Sequence, residues 1–246
     1  MPDTVLQRFF RRGVPVIALL ALAFGAPGAY ADLTQTVINT NDSGAGSLRQ
    51  AIIDSNAASG TSIINFAVVG VGCIGSAPPT CTITPATALP AITYPVTIDA
   101  TTQSGYTLTT PKVVISGASV PAATGLDITA GNSTIKGLVI NGFTKQISLT
   151  GNGNNTVQQC FIAVSSAGTA AVSGGGALST GINVGSDNNL IGGASTASRN
   201  VLGGAGAYSV SIFGNNNTIS YNYIGVTVSG AGQLHQIPFN PRRLAR

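Results

Sequence analysis

Ser209-Val-Ser-Ile-Phe-Gly-Asn-Asn-Asn-Thr-Ile-Ser-Tyr-Asn-Tyr-Ile224 is the clearest of several similar segments that lie between Gly125 and Gly232. Each copy has two apolar residues separated by one residue, then a Gly/Asn-rich corner, and then another short apolar stretch. The apolar pairs are Leu126/Ile128, Ile147/Leu149, Ile182/Val184 and Val210/Ile212. In three copies the corner has one length, because Ile128 to Ile135, Val184 to Ile191 and Ile212 to Ile219 are each seven positions apart. Such a recurrence predicts units that stack on one another to bury a continuous core.

The units are built of strands, since the apolar residues alternate with period two and are largely β-branched. Matching positions recur at 22 residues, from Ile140 to Ile162 and from Leu202 to Ile224, whereas Ile162 to Leu202 spans 40 and predicts an insertion. A repeat of about 22 residues with two or three short strands is typical of a parallel β-helix, a solenoid of the all-β class. We assign this domain to residues 61–232, and we expect the four apolar pairs to be buried in one stacked column.

The first 31 residues have the pattern of a secretory signal peptide. Arg8, Arg11 and Arg12 precede the apolar run 14–24, and Ala29-Tyr-Ala31 supplies small residues at a cleavage site. We therefore expect an exported protein, secreted or on the outer surface of a bacterium, with no transmembrane span in the mature chain. Residues 32–246 hold eight Lys/Arg and six Asp, a formal net charge of about +2. Without a basic stripe and interleaved aromatics, nucleic acid is not an expected partner.

Residues 32–60 predict a strand followed by one amphipathic helix. Ser47 is placed to cap the helix, and Leu48, Ala51 and Ile52 share one helical face. A helix at this place would cover the first unit of the stack, which otherwise presents unpaired backbone groups and an apolar core.

Val37-Ile-Asn-Thr-Asn-Asp-Ser-Gly-Ala-Gly-Ser-Leu-Arg-Gln-Ala-Ile52 resembles the N-terminal segment of exported bacterial proteins with CSLREA-type caps and right-handed parallel β-helix repeats. Gly46 takes the place of that signature's Cys, and Gln50 takes the place of its Glu. The resemblance covers about residues 33–232. It implies a right-handed, pectate-lyase-like β-helix with an N-terminal capping helix, but no particular reaction. The wider β-helix class includes pectate lyases, polygalacturonases and adhesins.

Two of the three cysteines are close together in the sequence. Cys73 and Cys81 flank a seven-residue loop in a chain with an export signal, so we expect them to form a disulfide. Cys160 falls where other copies carry Leu138 and Asn222, which favours a small buried core residue over a reactive thiol.

The residues between the apolar pairs are expected to point outward and to form a flat polar strip on one face. By copy, the outward sets are Gly125/Asp127/Thr129, Gln146/Ser148/Thr150, Gly181/Asn183/Gly185 and Ser209/Ser211/Phe213. An extended polysaccharide matches an extended surface, so the candidate ligand-binding residues are Asp127, Thr129, Ser148, Asn183 and Ser211. A solvated sheet face that needs only small polar residues remains the alternative.

Carboxylates are scarce, which bears on catalysis. Glycoside hydrolysis needs two carboxylates close together, but residues 32–246 contain no Glu, and Asp127 alone falls on the strip. One Asp is also a poor calcium cage, and Arg199 falls in an insertion. We predict no catalytic residue, no metal and no cofactor, and we favour a structural or adhesive role in contact with glycans or neighbouring surfaces. A carbohydrate-active enzyme, either a polysaccharide lyase or a glycoside hydrolase, is the rival hypothesis.

The corners of the repeat are rich in asparagine. Asn132, Asn154 and Asn216 fit the N-glycosylation pattern, but their recurrence at one corner favours stacked Asn side chains or left-handed turns. Residues 233–246 lose the alternation and predict an irregular tail, although Leu234, Ile237 and Phe239 could partly plug the core. This break favours the hypothesis that the chain is a truncated or frameshifted member of a longer repeat family. We expect self-association through the last unit.

Overall fold

The computed structural model describes residues 32–58, 60–172, 174, 179–204 and 206–234. The signal-peptide prediction, residues 1–31, and most of the predicted tail lie outside the described residues. The described chain is mostly strand, as the alternation predicts. It has one helix, α1 (Leu48–Ala57), two 3-10 turns (Ala100–Thr102 and Thr196–Ser198), and the following strands: β1 (Leu33–Val37), β2 (Ser62–Phe66), β3 (Cys73–Ile74), β4 (Thr80–Ile83), β5 (Val96–Asp99), β6 (Val113–Ser116), β7 (Thr124–Ile128), β8 (Thr134–Lys136), β9 (Leu138–Asn141), β10 (Lys145–Leu149), β11 (Thr156–Gln158), β12 (Phe161–Ile162), β13 (Thr180–Val184), β14 (Leu190–Gly192), β15 (Val201–Leu202), β16 (Tyr208–Ile212), β17 (Thr218–Ser220) and β18 (Tyr223–Ile224).

These strands form three sheets. Sheet A has the order β1-β2-β5-β8-β11-β14-β17, sheet B the order β18-β15-β12-β9-β6-β4-β3, and sheet C the order β16-β13-β10-β7. From β7 onward, successive strands enter sheets C, A and B in turn, so each set of three strands is one unit of the repeat. Neighbouring strands are parallel except β3 and β4, which form an antiparallel pair. The prediction of an all-β fold with parallel sheets is thus confirmed.

The apolar pairs of the repeat stack in register in sheet C. Ile147 pairs with Leu126 on one side and with Ile182 on the other, as the alignment of the copies predicts. The six apolar side chains of the first three copies are buried: Leu126, Ile128, Ile147, Leu149, Ile182 and Val184.

The last copy differs from this prediction. Val210 is only partly buried, and Ile212 is 45% exposed. The reason is that β16 is the end strand of sheet C, so its side chains pack against a neighbouring strand on one side only. The expectation that the fourth pair is as buried as the others is therefore wrong.

Asparagine side chains connect the corners between sheets C and A. A backbone N–H in one corner donates to the Oδ1 atom of an asparagine in the next corner. These bonds join Ser133 to Asn155 (3.0 Å), Asn155 to Asn189 (3.0 Å) and Asn189 to Asn217 (2.8 Å). One residue earlier in each corner, Asn132, Asn154, Asn188 and Asn216 have φ between 55° and 62°, which Asn tolerates. The left-handed turn is confirmed for the predicted Asn132, Asn154 and Asn216, whereas the bonds from corner to corner are made by the asparagine that follows the left-handed residue.

The helix packs as its sequence pattern predicts. Ser47 Oγ accepts a hydrogen bond from the backbone N–H of Gln50, which caps the first turn. Leu48, Ala51 and Ile52 are buried in the main core, and the helix contacts β1 and β2. Because β1 is the end strand of sheet A, the helix covers part of the first unit.

The cysteines also occupy the expected places. Cys73 and Cys81 form a disulfide across the β3–β4 hairpin. Cys160 is fully buried, and burial raises the pKa of its thiol to about 12. Its backbone N–H donates to Asn200 Oδ1 (2.8 Å), and Asn200 in turn donates to Asn222 Oδ1. The assignment of Cys160 to the core is confirmed, beside a second asparagine ladder that was not predicted.

A smaller apolar cluster lies on the outer face of sheet B. Val114 belongs to it, whereas its strand neighbours Val113 and Ile115 belong to the main core, as alternation requires. Leu234, in the first part of the predicted tail, is buried in this outer cluster rather than in the main core. The cluster consists of Val114, Val139, Phe161, Val164, Val201 and Leu234.

An ion pair connects the turn before α1 to the segment that precedes β5. Arg49 donates to Asp42 Oδ1 (2.7 Å) and to the carbonyl oxygens of Thr87 (2.8 Å) and Ala88 (2.7 Å). Asp42 Oδ1 also accepts the Ala86 N–H at 2.8 Å. The hydrogen bond from Arg49, followed by that from Ala86, lowers the pKa of Asp42. Folding therefore favours the carboxylate form.

We expect Asp42→Asn to lower the free energy of unfolding at pH 7 by less than about 1 kcal/mol, because the carboxylate is a third exposed and partly screened. Since the pKa of Asp42 is lowered on folding, the carboxylate stabilises the protein above its ordinary pKa of about 3.9. This contribution is lost as the pH falls through the lower value of the folded state. Urea unfolding between pH 7 and pH 2 measures it. The effect should be smaller in an Arg49→Met background, where only the Ala86 N–H still favours the carboxylate, and an equal loss at both pH values would contradict the prediction.

Candidate ligand-binding surface

The predicted site residues of the four copies lie in one row across sheet C. Ser148 is in register with Asp127 in β7 and with Asn183 in β13, and Asn183 is in register with Ser211 in β16. Neighbouring strands are about 4.8 Å apart, so the row spans roughly 14 Å. We call these four residues the polar row. The structure thus brings together four of the five predicted residues in one line.

The members of the polar row differ in exposure. Asp127, Asn183 and Ser211 are half-buried, whereas Ser148 is only 4% exposed. Among the described residues, the side chains of the three half-buried members make no hydrogen bond. Their polar groups are consequently available to solvent or to a ligand, with Ser148 recessed between Asp127 and Asn183.

Thr129, the fifth predicted residue, lies at the corner that follows β7. Its Oγ1 donates to the Ile92 carbonyl at 3.1 Å, and its backbone N–H donates to the same oxygen at 2.9 Å. These bonds attach the segment around Ile92 to the edge of sheet C. The hydroxyl of Thr129 is therefore engaged in a bond within the protein, and it is less available to a ligand than the sequence suggests.

Gln146 contradicts the predicted outward orientation, because it is fully buried. Its side-chain amide accepts from the Phe143 N–H (3.0 Å) and donates to the Phe143 carbonyl (2.7 Å). The pairing of β10 with β7 and β13 aligns it with Gly125 and Gly181, and the two bonds to Phe143 hold its side chain inward at this corner. Gln146 thus satisfies the backbone of the corner before β10, and the predicted strip is narrower than expected.

Beyond the polar row, the strip ends in an exposed aromatic ring. Phe213 follows β16 and is 76% exposed, in agreement with its predicted outward position. Its backbone N–H donates to the Val184 carbonyl, so the residue follows the register of β16 and β13. The surface therefore combines hydrogen-bonding groups with one apolar aromatic face.

The electrostatics of this surface are simple. Asp99 pairs with Lys136 at 2.8 Å, and Asp187 accepts the Asn215 N–H at 2.7 Å, so both of these carboxylates are engaged within the protein. Asp127 is the carboxylate that the polar row presents. Within the part of the chain that the structure describes, no group of three or more His, Cys, Asp or Glu could hold a metal ion. The row offers hydrogen bonds and one negative charge, and it lacks a second carboxylate for acid–base chemistry.

A second concave site, which the sequence did not predict, lies against the outer face of sheet B. The guanidinium of Arg199 stacks over the Tyr223 ring, 3.9 Å from its centroid, beside a cleft of about 200 Å³. The lining residues are Leu108, Thr109, Thr196, Arg199, Val201 and Val228. They come from the segment between β5 and β6, from the segment that leads into β15 together with Val201 of β15, and from the segment after β18. Arg199 and Tyr223 are 24 positions apart in the sequence. They come together because β15, which follows Arg199, pairs with β18, which contains Tyr223.

None of the described helices is both long and apolar enough to span a membrane. Comparison with known proteins finds no matching family model and no matching curated protein.

Proposed function

We propose that the chain is an exported right-handed parallel β-helix whose sheet C binds an extended glycan along the polar row. Three observations support the architecture. Successive strands enter sheets C, A and B in a fixed cycle, neighbouring units are parallel, and the apolar pairs stack in register. The disulfide between Cys73 and Cys81 favours an oxidising compartment, such as the exterior of a bacterium.

The observation that carries the binding proposal is the in-register line of polar side chains that form no hydrogen bonds among the described residues. A fold that needs only solubility on this face has no requirement for Asp127, Asn183 and Ser211 to occupy equivalent positions on successive strands. Sugar rings offer many hydroxyl groups, which both donate and accept hydrogen bonds. The carboxylate of Asp127, the amide of Asn183 and the hydroxyl of Ser211 can pair with them.

The exposed Phe213 ring adds an apolar contact at one end of the row. Sugar rings have an apolar face as well as hydroxyl groups, and an aromatic ring offers a large apolar surface with little conformational entropy to lose. A chain lying across the strands would therefore contact polar groups over its middle and the aromatic ring at its end. A structural or adhesive role follows, in which the stacked sheets hold these groups at fixed spacing.

Asp127→Ala and Asn183→Ala should each weaken retention on an immobilised polysaccharide roughly twofold to tenfold, because each removes hydrogen bonds to the ligand. The melting temperature should change little, since both side chains are partly exposed and make no hydrogen bond within the described residues. The ligand is chosen from a glycan array as one that the parent protein binds. Affinity chromatography of the parent and the variants then measures the effect.

Asp54→Ala is the matched control, since it removes one carboxylate from α1 rather than from sheet C, and its retention should equal that of the parent. Unchanged retention of both row variants would move the site off this face. Assays for new reducing ends and for unsaturated products, on the same preparation, separate binding from hydrolysis or lyase cleavage. Product formation would favour the carbohydrate-active enzyme instead.

A further inference from the structure

The cleft beside Arg199 contains a cation that is fixed in place. Its guanidinium stacks on the Tyr223 ring at 3.9 Å, and its Nε donates to the Tyr221 carbonyl at 3.3 Å. These two contacts hold the plane of the guanidinium, so little side-chain entropy remains to be lost when a ligand binds.

The remaining donors of Arg199 have no protein acceptor within the described chain. After the bond from Nε, the two terminal amino groups still carry four N–H donors, and neither forms a hydrogen bond or an ion pair among the described residues. Elsewhere in the structure the cations Arg49 and Lys136 pair with Asp42 and Asp99. Arg199 therefore presents a positive, forked donor group at the edge of a concave surface.

The rest of the cleft determines what the ligand can be. Leu108, Val201 and Val228 supply apolar contacts, and Thr109 and Thr196 supply hydroxyl groups. No carboxylate lines the cleft to compete for Arg199. Its volume of about 200 Å³ is below the roughly 300–1,000 Å³ of pockets that take drug-sized ligands, so the occupant is small.

We propose that this cleft binds a small organic monocarboxylate. The planar guanidinium matches a carboxylate through two parallel N–H···O bonds, and the apolar body of the acid packs against Val201 and Val228. A monoanion suits a site with one cation, whereas a phosphate dianion would leave charge unpaired against the apolar wall. This site is on sheet B and does not depend on the polar row of sheet C.

The proposal is tested by titrating the full-length mature protein with hexanoate while the backbone amide resonances are followed by NMR. Saturating shifts should be centred on Thr196, Arg199, Val201 and Val228. Hexanamide, which has a similar shape but no charge, should bind at least about tenfold more weakly, because charge-assisted hydrogen bonds are the stronger ones. Inorganic phosphate should also bind at least about tenfold more weakly, because it has no apolar body to pack against Val201 and Val228 and its second charge is left unpaired against the apolar wall. Hexanamide or phosphate binding as tightly as hexanoate would overturn the carboxylate assignment.

Variants separate a specific site from general attraction to cations. Arg199→Gln should weaken hexanoate binding at least about tenfold. Arg199→Lys should fall between this variant and the parent, because lysine keeps the charge but loses the fork. Lys145→Gln is the matched control, since it removes one cation from sheet C, and it should bind as the parent does.

Equal binding by the parent and Arg199→Gln, or the absence of saturating shifts in the parent, would overturn the proposal. Should Arg199→Gln fail to fold, Thr196→Val provides the second test. Loss of one hydroxyl contact should weaken hexanoate roughly twofold to tenfold. Unchanged affinity in that variant would likewise count against the site.

Discussion

Asn189→Asp is expected to lower the free energy of unfolding at pH 7 by about 3–5 kcal/mol, although it exchanges a single amino group for an oxygen. Asn189 is 1% exposed, and its Nδ2 donates to the Ser186 carbonyl (2.9 Å) and to Asn217 Oδ1 (2.9 Å). A carboxylate there would keep the acceptor for the Asn155 N–H, but its second oxygen would face the Ser186 carbonyl and Asn217 Oδ1, with only the Ser186 hydroxyl, 3.1 Å from Nδ2, able to donate to it. Burial leaves the charge without a cation to pair with, so both the lost donor and the added charge destabilise the fold.

The pH dependence distinguishes these causes from a simple loss of packing. The introduced carboxyl should have a raised pKa in the folded state, because burial disfavours its charged form. The destabilisation should therefore be largest at high pH and should diminish as the pH falls through that raised value. Urea unfolding of the variant and the parent at several pH values measures it.

Asn216→Asp is the control for this experiment. Asn216 occupies the neighbouring corner and is exposed, and its φ of 55° is one that Asp also tolerates. Its effect should be within about 0.5 kcal/mol. If Asn189→Asp lowers the free energy of unfolding as little as Asn216→Asp does, the asparagine ladder does not stabilise the corners.

The elements that the sequence predicted are those fixed by local pattern and by register. Alternation determines which side chains of β7, β10 and β13 point inward, and the constant corner length aligns one copy with the next. The helix cap at Ser47 and the disulfide between Cys73 and Cys81 depend on neighbours close in sequence, and both were predicted.

The elements that were missed depend on what packs next to them in space. Alternation alone places Gln146 outside, yet its side chain is buried because it hydrogen-bonds the Phe143 backbone at the corner before β10. The cleft at Arg199 arises from three segments of unrelated length, and no period in the sequence brings them together.

Leu149→Asp should lower the free energy of unfolding by at least about 4 kcal/mol or prevent folding, because it places an unpaired charge in the main core. Leu149 is fully buried between Ile128 and Val184, its partners on the neighbouring strands. Ile212 continues the same line of side chains beyond Val184. The repeat makes these positions equivalent in sequence, but the end position of β16 leaves Ile212 45% exposed.

Ile212→Asp is therefore the matched control, and its cost should stay below about 1 kcal/mol because the charge reaches water. If Leu149→Asp cannot be purified, Leu149→Ala should still cost about 2–5 kcal/mol through the cavity it creates. Thermal and urea unfolding of the variants measures the differences. A large loss in Ile212→Asp would show that this side chain is covered in solution, whereas a small loss in Leu149→Asp or Leu149→Ala would contradict the stacked core itself.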